Sequence, residues 1–467
     1  MKKHDIGVIG LAVMGANLAR NMASHKYSVA VYNRSEKRTD ELLAQHGNQH
    51  LQGYYDIKTF IQSLARPRKV MIMVKAGAPV DAVITSILPF LQKGDVVIDG
   101  GNSYYRDTER RHDELTEKGI HFIGTGVSGG EDGALRGPSI MPGGSKEAWK
   151  VVKPIFEAIA AKDFNGKPCV THVGVGAAGH YVKMVHNGIE YAIMQLLAET
   201  YDIMRTNGKM KPNEIAEVFA KWNKGKLKSF LVEIMVPVLS KKDGKSTKFL
   251  IDAILDVAEA KGTGKWTSQD ALDRGIAVPS IAQAVFARMI SANKKRRQTL
   301  ANTYHKTMKN SCDKEQLITQ LNHALYGAMI SAYAQGYDLI IAANKEERWG
   351  VNLAQLSRIW QGGCIIRAAM LKDIKEGFEE KGMTQAHVFL LANIQPTFKK
   401  SINNLRAVVA DGVQTGLALP ALSSSLAYID SISTAESSAN IIQGLRDYFG
   451  AHSYARKDTR GTFHTDW

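Results

Sequence analysis

A glycine-containing turn near the start of the chain limits the possible folds more than any other feature. Residues 4 to 9 predict a short, mainly apolar strand, and the turn "GLAVMG" opens a segment with apolar residues at helical spacing. Gly10 permits the tight bend, Ala12 is small enough for the backbone to approach a phosphate, and Gly15 packs helix against strand. This order of elements favours a dinucleotide-binding turn over an ordinary glycine-rich turn.

The alternation of strand and helix continues beyond this turn. Further strands are predicted in the segments "YSVAVYNRS", "KVMIMV" (69 to 74), "DVVIDGG" (95 to 101) and "HFIGTGVSGG" (121 to 130). Helical segments separate them, which predicts a parallel sheet with right-handed crossovers. We therefore expect an α/β, Rossmann-like dinucleotide-binding domain over residues 1–178.

From Gly179 onward the pattern becomes helical and repeats itself. Residues 184–204 align with residues 320–340, an offset of 136, and residues 215–225 align with 353–363, an offset of 138. Two related helical bundles are therefore predicted in an all-helical domain over residues 179–434. Residues 435–467 form a tail that is too aromatic for a simple disordered terminus, so we expect it to dock against another surface.

Composition narrows the class of protein. The net charge of +15 favours anionic partners, and the run Lys294 to Arg297 is either a solvated helix face or a nucleic-acid patch. The three cysteines are widely spaced, which predicts no disulfide framework and no thiolate metal site. The first residues resemble a signal peptide, but Asp5 and the ordered glycines argue against one. With no long apolar span, we expect a soluble cytoplasmic protein and no membrane partner.

The end of the second predicted strand indicates which dinucleotide is bound. Asn33, Arg34 and Ser35 stand where an acidic residue would bind a free ribose hydroxyl, so a 2′-phosphate and hence NADP is favoured; the alternative is a surface arginine in a polar turn. The segment "VKAG" and Asn102 follow the next strands, at the edge that lines the cofactor crevice. The candidate cofactor-binding residues are Gly10, Ala12, Val13, Met14, Gly15, Asn33, Arg34, Ser35, Val74, Lys75, Ala76 and Asn102.

A polar stripe on the first long helix is the strongest candidate for chemistry. Lys183, Asn187 and Glu190 fall on one face, because seven residues return almost to the same azimuth. A lysine with a lowered pKa suits removal of a hydroxyl proton, and a protonated carboxyl suits its return to carbon. The alternative is a structural ion pair or a solvated face. The equivalent positions in the second repeat are Thr319, His323 and Tyr326, so the stripe is not repeated.

Three further segments offer anion ligands. "VSGG" at 127 to 130 supplies a hydroxyl and backbone N–H groups for a carboxylate, unless it is only a glycine-rich turn. "AKGTGKWT" supplies Lys261 and Thr263, and "VFARM" supplies Arg288, as phosphate ligands if the fold brings them together.

Together these motifs resemble the 6-phosphogluconate dehydrogenase family, the decarboxylating enzymes of the oxidative pentose phosphate pathway. The resemblance rests on "GLAVMG", "NRS", "VKAG", "GGNS", "VSGGEDGA", "KMVHNGIEY", "KGTGKWT", "VFAR" and "RDYFGAH", in the family's order along essentially the whole chain. It implies NADP-dependent conversion of 6-phospho-D-gluconate to D-ribulose 5-phosphate and carbon dioxide without a metal.

The resemblance also implies roles for individual residues. Lys183 would be the base for the 3-hydroxyl and the later acid, and Glu190 would protonate C1. The carboxylate and hydroxyl end of the substrate would be held by Asn102, Ser128, Gly129, Gly130, His186 and Asn187. The phosphate would be held by Tyr191, Lys261, Thr263 and Arg288. In a homodimer with exchanged tails, Arg446 and His452 would act in the partner's site.

Two alternatives remain open at the level of sequence. Another β-hydroxyacid dehydrogenase would share the fingerprint turn, the "SGG" turn and the lysine–asparagine pair, but would not need Lys261, Arg288 and Arg446. A non-catalytic, nucleotide-responsive nucleic-acid-binding protein would use the positive charge instead, and would show salt-dependent binding to DNA or RNA without turnover.

Overall fold

The first part of the chain forms a seven-stranded sheet. The computed structural model describes residues 3–260, 262–304 and 313–467. The strands are β1 (Ile6–Ile9), β2 (Val29–Tyr32), β3 (Leu51–Tyr54), β4 (Lys69–Ile72), β5 (Val96–Asp99), β6 (His121–Ser128) and β7 (Ser139–Gly144). Their order in the sheet is β3-β2-β1-β4-β5-β6-β7. This is the doubly wound arrangement that the alternation of strands and helices predicts, and the expected Rossmann-like fold is confirmed.

The last strand departs from the expected all-parallel sheet. Strands β1 to β6 pair in parallel, whereas β7 runs antiparallel to β6 at the sheet edge, with Ser128 opposite Ser139. A parallel neighbour needs a crossover of a dozen or more residues, while only ten residues separate β6 from β7. The chain therefore turns back beside β6. Strand β3 was also not predicted, because its segment "LQGY" is too short and too polar.

Seven helices accompany this sheet. They are α1 (Val13–Ser24), α2 (Glu36–His46), α3 (Ile57–Gln62), α4 (Ala78–Ile87), α5 (Tyr105–Thr116), α6 (Gly130–Arg136) and α7 (Lys146–Ile159). Apolar residues of the strands form one core with α1 and α7, and a second core with α3 and α4 on the opposite face. The carboxyl ends of β1, β4 and β5 are thereby left open for a ligand.

The rest of the described chain is helical. Its helices are α8 (Ala178–Thr206), α9 (Pro212–Trp222), α10 (Phe230–Ser240), α11 (Thr263–Asp273), α12 (Pro279–Ala292), α13 (Lys294–Tyr304), α14 (Lys314–Glu347), α15 (Leu353–Ile359), α16 (Met370–Glu379), α17 (Gln395–Gln414), α18 (Pro420–Ile432) and α19 (Ala439–Gly450). Among the described helices none is long and apolar enough to cross a membrane.

The predicted repeat lies in the two longest helices, which pack against each other. The first pair of aligned segments falls within α8 and α14, and the second pair begins in α9 and α15. Helices α8 and α14 each bind the start of a helix from the other repeat. Glu199 of α8 accepts hydrogen bonds from the backbone N–H groups of Ala421 and Leu422 in α18, both at 2.8 Å. Gln335 of α14, 136 residues later, accepts one from the N–H of Ser280 in α12 at 2.9 Å. The two repeats therefore cap each other reciprocally.

Glycines bring α8 very close to the sheet. A Cβ on Gly126 of β6 would lie 2.4 Å from Cβ of Lys183, and one on Gly124 would lie 2.9 Å from Nδ1 of His180. Because real Cβ atoms do not approach so closely, a side chain at either position would push the helix away. The glycines of β6 thus set how near Lys183 lies to the open end of the sheet.

The tail is ordered rather than extended. Helix α19 is followed by a hairpin that joins Tyr454 to Phe463. Asp447 is fully buried and accepts hydrogen bonds from the N–H of Ser453 and Thr465 and from the side chains of His464 and Trp467. The exposed apolar side chains of the tail are Ile441, Ile442, Leu445, Tyr448, Phe449 and Trp467.

Candidate active site

The turn after β1 has the geometry of a phosphate-binding loop. Gly10 has φ of +96°, a conformation that favours glycine, and a Cβ there would lie 2.5 Å from the carbonyl oxygen of Met73. A Cβ on Gly15 would lie 1.9 Å from the carbonyl oxygen of Gly10. Helix α1 begins at Val13, so its free N–H groups face the turn. The turn therefore suits an anion such as a pyrophosphate.

A cavity of about 510 Å³ opens over this turn. Of the predicted cofactor residues, Gly10, Ala12, Val13, Met14, Gly15, Asn33, Val74, Lys75 and Asn102 line it. Arg34, Ser35 and Ala76 are not in the lining, although Arg34 and Ser35 are exposed immediately after Asn33. The lining also contains Arg38, a second basic residue of the segment after β2. Its other members, which were not predicted, are Met73, Gly100, Gly101 and Val127.

Asn33 connects the end of β2 to the glycine turn. Its Oδ1 accepts a hydrogen bond from the N–H of Leu11 at 3.0 Å, and its Nδ2 donates to the carbonyl of Ser35 at 3.0 Å. Asn33 therefore fixes the loop that presents Arg34 and Arg38. Two guanidinium groups without an acidic residue at this position fit a ribose 2′-phosphate better than a free 2′-hydroxyl.

The polar stripe of α8 lies in a buried cluster with residues from two other elements. Nζ of Lys183 lies 2.5 Å from Oδ1 of Asn187 and 3.4 Å from Nδ1 of His186. Nε2 of His186 lies 3.2 Å from Oγ of Ser128 at the end of β6. Nδ2 of Asn187 donates to Oγ1 of Thr263, the first residue of α11, at 3.2 Å. The fold thus brings together predicted residues from β6, α8 and α11.

Burial determines the charge state of this cluster. Lys183 is only 6% exposed, and burial lowers the pKa of its ammonium group, opposed by the negative charge of Glu190. Burial and the neighbouring Lys183 hold the pKa of His186 well below its usual value. His186 is therefore neutral, with Nε2 facing Oγ of Ser128 and Nδ1 facing both Nζ of Lys183 and Oδ1 of Asn187, the latter at 3.1 Å. A lysine with a lowered pKa loses its proton more readily than an exposed lysine, which suits a general base.

Glu190 continues the stripe toward the more open end of the cluster. Its side chain is 20% exposed, and Oε2 lies 3.9 Å from Nδ1 of His186. Because His186 is neutral, this contact is not an ion pair. Tyr191 follows on α8 and lies under Arg288 of α12, whose guanidinium carbon is 3.4 Å from the ring centroid. Arg288 also donates to the carbonyl of Glu259 at 3.1 Å.

The predicted phosphate ligands therefore converge only in part within the described chain. Thr263 contacts Asn187, and Arg288 contacts Tyr191, beside the stripe on α8. Lys261 lies outside the described residues. Arg446 donates to Gln443 within α19, and the ring of His452 lies edge-on to Phe449. Both tail residues are exposed.

The second repeat supports the site in a way that the sequence did not predict. The N–H of Ile365 points to Oγ of Ser128 at 3.4 Å, and Trp360 lies edge-on to His186 with the ring centroids 5.7 Å apart. Gly363 has φ of +64° and lies against Gly129. A Cβ on Gly129 would be 2.7 Å from the carbonyl oxygen of Gly363. The pair Gly362-Gly363 after a tryptophan was the available signal, but only the fold reveals what it touches.

Comparison with known proteins identifies the family. The model of the 6-phosphogluconate dehydrogenase C-terminal domain matches residues 179–467, and the model of the NAD binding domain of 6-phosphogluconate dehydrogenase matches residues 5–174. The chain is 51% identical to the NADP(+)-dependent, decarboxylating 6-phosphogluconate dehydrogenase of Bacillus subtilis and 47% identical to the decarboxylating enzyme of Escherichia coli K12, with full coverage of both chains in each case.

A solved structure agrees with these sequence matches. The structure of Plasmodium falciparum 6-phosphogluconate dehydrogenase, described in apo form and in complexes with NADP+ and with 6-phosphogluconate, superimposes with a TM-score of 0.95 at 42% identity. The match covers 99% of this chain and 100% of that one. The chain therefore belongs to the 6-phosphogluconate dehydrogenase family.

Proposed function

We propose that this chain catalyses the oxidative decarboxylation of 6-phospho-D-gluconate to D-ribulose 5-phosphate and carbon dioxide, with reduction of NADP. The observation that carries the proposal is the buried amine of Lys183, held by Asn187 and His186 beside a dinucleotide cleft. The printed names of the relatives and the complexes of the Plasmodium enzyme support the substrate and the cofactor.

Lys183 accepts the first proton in this proposal. NADP held in the cleft would supply the acceptor for the hydride that leaves C3 of the substrate. Nζ of Lys183 takes the proton of the 3-hydroxyl group, which is possible because burial favours its neutral form. The product of this step is a 3-keto acid, whose carbonyl accepts the electron pair that the departing carbon dioxide leaves behind. Protonated Lys183 then returns its proton to the carbonyl oxygen, which gives an enediol.

Glu190 completes the reaction by protonating C1 of the enediol. Its carboxyl group lies on the same face of α8 as Lys183 and reaches the more open end of the cluster. The carboxylate and hydroxyl groups of the substrate are held by Asn102, Ser128, Gly129, Gly130, His186 and Asn187. Its phosphate is held by Tyr191, Lys261, Thr263 and Arg288. The stripe thereby separates two proton transfers along one substrate.

The direct test is turnover of 6-phosphogluconate with NADP, followed by absorbance of NADPH and release of carbon dioxide. Lys183→Met should lower kcat by about a thousandfold or more, because no other base replaces it, and Glu190→Gln by about a hundredfold with substrate binding retained. Near-normal turnover of Lys183→Met would remove the proposed base. Turnover of an unphosphorylated hydroxyacid in place of 6-phosphogluconate would favour another β-hydroxyacid dehydrogenase.

We also propose that the chain acts as a homodimer with exchanged tails. The exposed apolar side chains of α19 support this, since burying such a face against a partner would stabilise the assembly. Arg446 and His452 are exposed on the same tail and would complete the partner's phosphate site. We keep the division into domains 1–178 and 179–434 and a tail 435–467 as part of this proposal.

Mixing two inactive variants tests the exchange. Lys183→Met and Arg446→Ala should each be inactive, but a mixed dimer has one site with native Lys183 and a native Arg446 from the partner. Unfolding and refolding an equal mixture should therefore restore about a quarter of the native activity, since half of the dimers are mixed and half of their sites are intact. If the tail serves its own chain, the mixture stays inactive.

Two remaining predictions belong to this proposal. The basic run is a poor nucleic-acid patch, because Lys294 and Arg297 both pair with Asp256, at 2.5 and 2.9 Å. Salt-dependent binding to DNA without turnover would contradict that statement.

A cytoplasmic location is consistent with the free, buried thiols of Cys169 and Cys364.

A further inference from the structure

A buried carboxylate outside the reaction cluster joins three elements. Oδ1 of Asp270 accepts a hydrogen bond from the hydroxyl of Tyr105 at 2.6 Å, and Oδ2 accepts one from the hydroxyl of Tyr181 at 2.5 Å. Nε of Arg274 donates to Oδ2 at 3.0 Å. These four residues, the Asp270 cluster, come from α5, α8 and α11.

The Asp270 cluster is almost closed to water. Asp270 is 3% exposed, and the side chain of Arg274 is 4% exposed. Burial raises the pKa of both tyrosines, so their hydroxyls stay protonated and remain donors. Arg274 also binds Glu347 at the end of α14, which ties the cluster to the second repeat. A buried carboxylate with three donors is strongly constrained, because losing any donor leaves a polar group unsatisfied.

Each element of the cluster also bears a residue of the active site. Tyr105 follows Asn102, which lines the cofactor cavity, by three positions. Tyr181 precedes Lys183 by two positions on α8, and Asp270 lies on the helix that starts with Thr263. The cluster therefore stands behind the three segments that must meet for hydride and proton transfer.

Helix α11 transmits the position of Asp270 to the reaction cluster. Oγ1 of Thr267, between the two ends of α11, donates to the carbonyl of Met184 at 2.9 Å. A Cβ on Gly188 would lie 2.7 Å from Cγ2 of Thr267, so α8 and α11 are in close contact. A rotation of α11 about this contact would move Thr263 away from Asn187.

We propose that Asp270 is a positioning residue that fixes the cofactor-binding domain against Lys183 through its hydrogen bonds to Tyr105 and Tyr181. Asp270 is not in the lining of the cofactor cavity. This inference rests on the proposed dehydrogenase function. The contribution of Asp270 is to keep the 3-hydroxyl group, the base and the hydride acceptor correctly placed relative to one another. Misplacement of reacting groups by a fraction of an ångström lowers the rate of chemistry more than it lowers binding.

The variants that test this inference each change one member of the Asp270 cluster. Tyr105→Phe removes the bond between α5 and Asp270, together with the 3.4 Å contact in which Nη2 of Arg274 donates to the same hydroxyl. Asp270→Asn keeps the shape of the acceptor while weakening its pairing with Arg274. Tyr428→Phe is the matched control, because its hydroxyl donates to Asp338 at 3.0 Å within the helical domain, away from the cofactor. Thermal unfolding of all variants checks that they fold.

The expected result is a split between kcat and KM. In Tyr105→Phe and Asp270→Asn, kcat should fall by about tenfold while the KM for NADP changes by less than about twofold, and Tyr428→Phe should keep native kcat. The double variant that combines Tyr105→Phe with Asp270→Asn should be no slower than the slower of the two single variants, because the two changes disrupt the same hydrogen bond. Amide exchange in residues 102–110 should also become faster in both single variants than in the control.

Three results would overturn the inference. The first is native kcat in Tyr105→Phe, and the second is an equal loss of kcat in Tyr428→Phe, which would mean general destabilisation. The third is a rise in KM with kcat unchanged, which would mean a role in binding alone. Absence of turnover in the native protein would instead refute the proposed function, so the two failures are distinguishable.

Discussion

Lys183 illustrates how much one residue depends on its immediate surroundings. The amine is buried among Asn187, His186 and the glycines of β6, and it has neutral hydrogen-bonding partners rather than a carboxylate in direct contact. A carboxylate in the place of Asn187 would stabilise the ammonium form. The identity of residue 187 should therefore control the pH at which Lys183 becomes a base.

Asn187→Asp tests this dependence. A negative charge at 2.5 Å from Nζ raises the pKa of Lys183, and a base works only above its pKa, so the acidic limb of kcat/KM should move to higher pH by about one unit or more. The measurement is the pH profile of kcat/KM for 6-phosphogluconate. Asn187→Ser is the control, since it loses the amide without adding charge. An acidic limb that stays in place in Asn187→Asp would argue against Lys183 as the titrating base.

At this scale the sequence predicted types of residue better than contacts. Lys183 and Asn187 were identified because helical spacing places them on one face, and His186 was identified through the family resemblance; the structure finds all three in contact. Trp360 and Ile365 were not identified, because they lie more than 170 positions away and ordinary apolar residues give no chemical signal. The roles of Lys183 and Glu190 in catalysis stay predictions.

Among the elements, the reciprocal caps between the repeats have the clearest thermodynamic consequence. Glu199 and Gln335 occupy equivalent positions, yet one is ionisable and the other is not. Burial raises the pKa of Glu199 to about 7, against the effect of the two backbone N–H groups that it accepts from. The folded protein therefore holds a proton on Glu199 at pH values where the unfolded chain has lost it.

The stability of the fold should accordingly decrease between about pH 4.5 and pH 7. A pKa raised in the folded state means that stabilisation is complete below the unfolded value and is lost as pH rises through the folded value. The shift from 4.5 to about 7 corresponds to about 3 kcal/mol. Glu199→Gln, which copies Gln335, should flatten the pH dependence of Tm in this range.

Exposed Glu217→Gln provides the control for this measurement. It should leave the pH dependence of Tm as it is in the native protein. If Glu199→Gln has the same pH dependence as the native chain, Glu199 does not titrate in this range.

The elements themselves were largely predictable, with informative exceptions. Strong apolar runs and helical spacing predicted five strands and the two long repeated helices. Strand β7 was missed because "SIMPGG" contains a proline and two glycines, which are unfavourable in a central strand but acceptable at an edge. Its direction depends on the short connection after β6, which a count of alternating elements does not reveal.

For the whole molecule, the proposed dimer is the property that a single chain does not show. Removing residues 446–467 should abolish most activity and shift the protein toward monomer, because it deletes Arg446, His452 and half of the exposed apolar side chains of the tail. Analytical ultracentrifugation measures the shift. Asp447→Ala is the companion variant, since it keeps the full length but removes the acceptor that organises the tail. A truncated chain that is both dimeric and active would contradict the shared site.

The sequence predicted the two-part architecture and the family, and both are confirmed. The residues of the aromatic tail do not by themselves predict which surface it meets, because hydrophobic burial is not directional. The partner's active site as that surface comes from the family resemblance and stays a prediction.

The folding of the tail around Asp447 has a practical consequence for following assembly. Trp467 donates to this carboxylate and is 63% exposed in the isolated chain, so its indole is held in place but still hydrated. If a second copy covers it, as in the proposed dimer, water leaves the ring and its fluorescence should shift to shorter wavelength. The final residue would then report subunit exchange in real time without any added label.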